Sequence, residues 1–591
     1  MNIDYSKLGF RWKGLYNSNT NYANKDVIYK EGAAFYYDTS TETFKAFARG
    51  QIEATNKGDL IINGISLNQA FADERLYVTN GSIQFRHPID RNGTRCIELG
   101  GRGANHMGWE TENNNLGMYF LMANGEVRSR GYDWDGKVGT GTNDEGKGYF
   151  IPNQINFPKG TPPIVKIFTA WRNLFMIDSQ GQLWGVGKGI MIGAGDTQAD
   201  TAVAINISEN SEIGNNKIVD FFTGSFWRYE AQQHFAIDEN GRVYTWGYNY
   251  NGTGYCVSGL GVTQTDSERY TARLIPFTQD VPISKASTDG IQSSFLISTD
   301  GALYVTGAAN RNFTGHPVEY WELVTTQGPV KEVSANALMD SGTSNRYFQH
   351  LLQQDGKLFI RGNGHLNTFG TNPDIAETNF IHNDDHLVGE NISKAFFVSG
   401  NTPCIIAQKT NGDWLYQGQN WDYVSPTGGH ITPTSPSDWD RSINLMPTQY
   451  CNSQTTIVHA FGQGIYGSVG FLNTTTGKLT IFGRNSIGIK GIGHTNNGVV
   501  GFTNPIGIAA GWTAPYNNQN AYSNDYVLLN KNIINFEFAG RARHDGTNAV
   551  YQASCHVLTD EGDVYSWGDS SYALNNAYPT GDTYTPQRVL F

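Results

Sequence analysis

The feature that most constrains this chain is a spacing: Gly, one residue, an apolar residue, three residues, Gly, met eight times. The copies are "NGEVRSRG" (Gly125 to Gly131), "QGQLWGVG" (Gly181 to Gly187), "NGRVYTWG" (Gly241 to Gly247) and "DGALYVTG" (Gly301 to Gly307). They continue as "DGKLFIRG" (Gly356 to Gly362), "NGDWLYQG" (Gly412 to Gly418), "TGKLTIFG" (Gly477 to Gly483) and "EGDVYSWG" (Gly562 to Gly568). Successive first glycines lie 56, 60, 60, 55, 56, 65 and 85 residues apart, so the pattern runs along the chain and is not the peculiarity of one loop.

Ahead of each first glycine stands a second apolar run, such as "LFMI", "HFAI", "SFLI" or "CHVL", followed by a short polar turn. Two apolar runs joined by a few residues that include Gly predict a β-hairpin. Further upstream most copies carry a third run, "IVKIFT", "IVDFFT", "ISKAST", "VKEVSA", "ISKAFF", "IVHAFG" and "IINFEF", and downstream a last extended piece such as "TARLIPF" or "TPQRVLF". One small twisted sheet cannot cover both its faces, whereas sheets stacked radially bury each face against a neighbour. The predicted fold is therefore all-β, a β-propeller of four-stranded blades, with eight repeats counted and seven blades as the alternative. The sixteen motif glycines read as structural, placed where hairpins need positive φ or where blades approach closely. Composition agrees: 69 Gly, 13% aromatic and only 16% charged residues suit strands and tight turns.

"DENGRVYTWGYNYNGTG" and "DEGDVYSWGDSS" carry the repeat most fully, and "NGEVRSRGYDWDGKVGTGT" and "FGRNSIGIKGIG" keep its second half. The pattern resembles the propellers related to the regulator of chromosome condensation, whose repeat runs approximately as an apolar strand, "DG.VYSWG", then "N..GQLG.G". The resemblance covers residues 96–591 and implies a propeller there. The Trp before the closing Gly stands only at Trp246 and Trp567, with Arg130, Val186, Thr306, Arg361, Gln417 and Phe482 in the other copies. No functional residue carries over from nucleotide exchange or chromatin binding, because the shared motif is structural and the net charge of -12 disfavours a chromatin partner.

The stretch "FRWKGLYNSNTNYANKDVIYKEGAAFYYD" differs from the repeats. It places Trp12, Tyr16, Tyr22, Asp26, Val27, Gly32 and Tyr36 where small β modules of the chitin-binding carbohydrate type read W.G.Y......Y..GDVV...G..Y. Similar modules are common in bacteriophage tail fibres. Three domains are expected: 1–50, a small β-rich attachment module; 51–95, a β-rich connector with Asn-Gly turns at Asn63-Gly64 and Asn80-Gly81; and 96–591, the propeller.

Several function classes are disfavoured. No cluster of Lys and Arg is available to neutralise a run of phosphates, so no nucleic acid is expected. Nowhere do 18 consecutive apolar residues occur, so no membrane insertion is expected, and "MNIDYSKLGFRWKG" lacks the apolar core of a signal peptide. Cys96, Cys256, Cys404, Cys451 and Cys555 are too scattered for a disulfide framework and read mostly as buried thiols. "GQGIYG" (Gly462 to Gly467) precedes a strand and so lacks the helix N-terminus a dinucleotide needs. "GVGKG" (Gly185 to Gly189) does not end as a P-loop does, and "HNDDH" (His382 to His386) reads as a solvated loop. "DWDG" (Asp133 to Gly136) lacks the remaining oxygen ligands of a calcium loop. No catalytic, cofactor-binding or metal residue is assigned.

The candidate contacts are aromatic: Trp12 and Tyr16 in the first module, and Trp134, Trp227, Tyr248, Tyr250, Trp421 and Trp512 in connecting loops, where large rings anchor a partner or glycan. The expected function is a non-enzymatic structural virion protein of a bacteriophage tail (tail fibre, baseplate or receptor-binding component), made in the host cytoplasm without a signal peptide. It would join other virion tail proteins through the N-terminal module and offer the propeller as a platform for protein, host surface glycan or receptor. The alternative is a carbohydrate-active enzyme or lectin with its site in the propeller loops.

Overall fold

In the computed structural model the chain divides between Arg95 and Cys96 into two compact units. In the first unit the strands alone are described, as backbone; in the second, most blade strands and hairpins are described with side chains. The longest stretches outside the description are 102–116, 248–257, 364–380, 383–390, 419–443, 489–527 and 569–582.

In the first unit, strands Arg11–Leu15, Asp26–Lys30, Ala33–Asp38 and Thr43–Ala46 form one sheet in that order, the first pair parallel and the others antiparallel. Three short strands between Ile52 and Ser66 form a second sheet, and Leu76–Thr79 pairs with Ser82–Phe85. Ile62 pairs with Ile65 and Thr79 with Ser82, antiparallel in both cases, while the two Asn-Gly pairs themselves lie outside the described residues.

The second unit is a β-propeller of eight blades, not seven. Blade 1 spans 96–154, blade 2 164–206, blade 3 218–274, blade 4 283–324, blade 5 330–382, blade 6 392–445, blade 7 455–483 and blade 8 533–588. Every blade is an antiparallel sheet with its strands in sequence order; among the described residues blade 7 shows three strands and the others four. The first strands of neighbouring blades pack side by side around the ring, which puts them at its axis. Each second strand is buried on both faces, as in Gly117–Met122, Asn173–Asp178 and Ser293–Ser298, and so reads as an unbroken apolar run.

One hydrogen bond builds the ring. In seven of the eight blades the first residue of the first strand donates its N–H to the carbonyl of the first motif glycine of the preceding blade. The donors Ile164, Ile218, Ile283, Val330, Ile392 and Ile533 meet Gly125, Gly181, Gly241, Gly301, Gly356 and Gly477 at 2.8 to 3.3 Å. Cys96 donates to Gly562 at 3.2 Å, so blade 8 closes onto blade 1 by the same bond. Blade 7 departs from the pattern: Thr455 N–H bonds to Asn452 of its own entry turn.

The first glycines therefore serve both purposes that the sequence suggested. Gly241 has φ +80°, and a Cβ there would lie 2.8 Å from Cβ of Pro282 and 2.9 Å from the N–H of Ile283, the donor of the junction bond. Gly241→Ala is expected to cost roughly 1–3 kcal/mol through left-handed strain and the displaced junction. Urea unfolding of the full chain measures it, and an unchanged midpoint would contradict this account of the glycine.

Packing between blades is equally regular. Trp246 of blade 3 lies in a cluster with Phe175, Ile192, Ile207 and Ile213 of blade 2 and its exit loop, and Trp567 of blade 8 lies with Leu472, Leu479 and Ile481 of blade 7. The ring-closing cluster unites Leu99, Met118 and Phe120 of blade 1 with Ala539, Leu558 and Val564 of blade 8. Each blade thus buries its neighbour's open face, which a lone sheet could not do.

Candidate functional site

Where the first strand of each blade begins, a bulge follows its first residue at the same register in all eight blades. On blades 1 to 6 it leaves two successive side chains, the second and third of the strand, outside the packed interior at the axial mouth, whereas Ile457 of blade 7 and Ile534 of blade 8 pack against core clusters. The third positions carry Glu98, Lys166, Asp220, Lys285, Glu332 and Lys394 on blades 1 to 6, an alternation of sign broken only by Ile457 and Asn535 on blades 7 and 8.

Neighbouring charges interact across blade boundaries. Lys166 Nζ pairs with Asp220 Oδ1 at 2.9 Å and reaches the Val219 carbonyl at 3.4 Å. Lys285 Nζ donates to the Lys331 carbonyl at 3.0 Å, and Lys331 Nζ to the Ser393 carbonyl at 2.7 Å. The acceptors are second-position carbonyls on the axial edge, so lysines satisfy strand edges that have no further strand to pair with. Burial pushes the Glu98 carboxyl up, against the Ile167 N–H and the Lys166 charge. At Glu332 burial also pushes upward, but a hydrogen bond from His350 and the charges of Lys285 and Lys331 outweigh it and hold the carboxyl below its ordinary value.

The second positions are divided. Ile97, Val165 and Val219 on blades 1 to 3 are large apolar side chains left 47%, 52% and 50% exposed, whereas blades 4 to 7 carry Ser284, Lys331, Ser393 and Thr456 there. The mouth therefore has an apolar arc and a cationic arc.

Other ionisable groups are committed to structure. Asp135, from the "DWDG" stretch, sits at φ +62° and is buried between blades 1 and 2. Arg172 Nε lies 3.4 Å from its Oδ2, and Lys188 Nζ lies 3.5 Å from its Oδ1 and 3.5 Å from Asp200. Burial pushes the Asp135 carboxyl up to about 6 despite those two cations. Here protein cations surround the carboxylate, and Lys188 of "GVGKG" is one of them. Arg130 contacts His556 Nε2 at 2.6 Å in the sealed junction of blades 8 and 1, where burial pulls the guanidinium down to about 9. The thiols of Cys96, Cys451 and Cys555 are buried, and burial pushes each of them up, away from thiolate reactivity. Among the described residues no group of three His, Cys, Asp or Glu is placed to hold a metal.

A polar cleft of about 900 Å³ lies beside blade 2, lined by Asp178, Gln182, Thr201, Asn206, Asn210 and Lys217 among others. The Asp178 carboxylate is in use, since its Oδ1 accepts from the N–H groups of Gln180 and Gln182 and its Oδ2 from Trp184 Nε1.

The aromatic candidates are not among these residues. Tyr16, Trp134, Trp227, Tyr248, Tyr250, Trp421 and Trp512 lie outside the described residues, as does the side chain of Trp12, whose backbone belongs to strand Arg11–Leu15. So do "GQGIYG" and "HNDDH" beyond His382, which ends strand Ile381–His382. The axial charges were missed, although aligning the quoted first strands at their opening residue puts Lys, Asp, Lys, Glu and Lys in one column.

No family model matches the chain. Among curated proteins, the E3 ubiquitin-protein ligase HERC2 of Homo sapiens, like that of Mus musculus, is 27% identical over 201 residues, which is 34% of this chain and 4% of the ligase. Among solved structures, the yeast RCC1 protein Prp20 bound to Kap60 aligns with a TM-score of 0.43 and 15% identity, covering 69% of this chain and 82% of that one. Human WBSCR16 aligns with a TM-score of 0.42 and 12% identity, over 64% and 86% of the two chains. The chain spans a small part of the ubiquitin ligases it matches, and their activity does not follow from so short a match.

Proposed function

We propose that this is a non-enzymatic interaction protein of a bacteriophage-type tail, with the eight-bladed ring as the binding platform and residues 1–50 as the attachment module. The observation that supports the platform best is the axial mouth, where exposed apolar and charged side chains from six or more blades converge while the buried ionisable groups serve blade junctions. Support for the tail comes from the sequence of residues 10–38 and its resemblance to modules common in tail fibres. The N-terminal module would bind other tail proteins, and the propeller a protein or glycan at the host surface.

Purified phage particles provide the test. The protein is expected to band with intact virions in a density gradient, and its absence from them would remove the tail reading. Incubation with host surface polysaccharide is expected to release no reducing ends; their release would favour the alternative, a carbohydrate-active enzyme.

A further inference from the structure

We infer that the axial mouth is a docking site for a peptide segment in which a carboxylate stands next to an aliphatic side chain. The inference rests on the platform reading only in taking the propeller to act by binding; it does not depend on a virion.

The mouth offers two unlike surfaces on successive blades. On blades 1 to 3, Ile97, Val165 and Val219 project from consecutive first strands at the same register and remain about half exposed, although the residues on either side of each pack inward or pair with charges. Isolated exposed aliphatics are ordinary, but three at equivalent places in successive blades set an apolar arc. Across the mouth, the first strands of blades 4 to 6 carry Lys285, Lys331 and Lys394 against the one carboxylate of Glu332. A protein of net charge -12 thus presents a local excess of positive charge beside an apolar strip.

Charge complementarity selects the occupant. On blades 1 to 3 the Lys166 ammonium is already matched by Asp220 and faces Glu98, so a ligand charge gains nothing there. Lys285 and Lys331 instead donate to backbone carbonyls and share the single carboxylate of Glu332, which leaves positive charge in excess there and each ammonium with further N–H donors. A carboxylate meets that demand with charge-assisted bonds, while an aliphatic neighbour on the same segment covers Val165 and Val219. A second basic or wholly polar partner satisfies neither arc.

A dye-labelled, end-capped heptapeptide Ser-Gly-Leu-Glu-Val-Gly-Ser and its Gln counterpart, titrated with the full-length protein by fluorescence anisotropy, test this. Saturable binding of the Glu peptide is expected at about 0.1 mM or below, at least about tenfold tighter than the Gln peptide and weakening with salt. The double variant Lys285→Glu/Lys331→Glu and the single variant Val165→Asp are each expected to lose about tenfold. All four positions of comparison are exposed, and unfolding midpoints confirm that the variants are folded. Ile151→Asp, on the exposed outer strand of blade 1, is the control and is expected to bind as the parent does. Equal binding of the Glu and Gln peptides, no saturation up to about 1 mM, or equal losses from Ile151→Asp and Val165→Asp would overturn the proposal. So would sedimentation showing a dimer that Val165→Asp dissolves, because a second copy would then be the occupant. Failure here leaves virion association untouched, and absence from virions leaves this site untouched.

Discussion

Trp246→Ala is expected to destabilise the propeller by roughly 3–5 kcal/mol, the largest effect of any single truncation argued from this structure. The indole is 1% exposed, and its Nε1 donates to the Met191 carbonyl at 3.0 Å, in the turn that follows the third strand of blade 2. Phe175 of blade 2, Phe221 and His234 surround the ring at centroid distances of 5.4 to 5.8 Å, and Gly193 lies so close that a Cβ there would meet the indole at 2.6 Å. Removing the ring opens a cavity between two blades, leaves a buried carbonyl without its donor, and uncovers His234. Burial now pulls that imidazole down to about 3, so it is neutral in the fold; wetting the cavity would let its pKa climb back toward 6.5. Trp246→Phe keeps part of the apolar volume and should cost less. Urea midpoints of the two variants against the parent give the measurement, and an alanine variant within about 0.5 kcal/mol of the parent would show that blade 3 does not lean on blade 2 through this residue.

The legible part of this fold is the part that repeats. The hairpins were readable because φ values near +80° to +90° at Gly125, Gly181, Gly241 and Gly301 demand glycine at one place per blade, and because doubly buried strands leave apolar runs. Eight or seven blades was a closer matter. It turns on whether the Gly562 hairpin meets Cys96, a contact between the two ends of the propeller that no local pattern encodes. The Asp135 junction was hidden for a related reason. "DWDG" lacks the remaining oxygen ligands of a calcium loop, and nothing local points to the cationic partners of Asp135, Arg172 and Lys188, which come from the next blade. The axial charges sit in plain sight in the sequence, but their order is across blades, at intervals of more than forty residues, and period-2 reading within a strand passes over it. Loop aromatics such as Trp227 and Trp421 belong to no repeat, so neither period nor register constrains them.

Glu537→Gln is expected to gain about 2 kcal/mol of stability over the parent between pH 6.5 and pH 8.5. Glu537 sits on the first strand of blade 8 with its Oε1 3.6 Å from Nε2 of His459 on blade 7. The distance suggests an ion pair, but burial, helped by the Glu98 charge, pushes the carboxyl up to about 8, and burial pulls the imidazole down to about 4. Both groups are therefore neutral at pH 7, the acid protonated and the imidazole unprotonated. The signs oppose each other. The carboxyl holds its proton more tightly folded than unfolded, so its contribution is complete below about pH 4.3 and is lost as pH rises toward 8. The imidazole contributes fully above about pH 6.5 and loses that as pH falls toward 4. Asp135 and Asp563, each pushed up to about 6 by burial, act with the sign of Glu537 but are mostly ionised above pH 6.5. Between pH 6.5 and 8.5 Glu537 is thus the group among these that still changes, and the parent should lose melting temperature across that window. A Gln carries no proton to lose, so the variant's profile should be nearly flat there. If parent and Glu537→Gln instead lose stability in parallel from pH 6.5 to 8.5, the carboxyl is already ionised in the fold, and the contact with His459 is an ion pair after all.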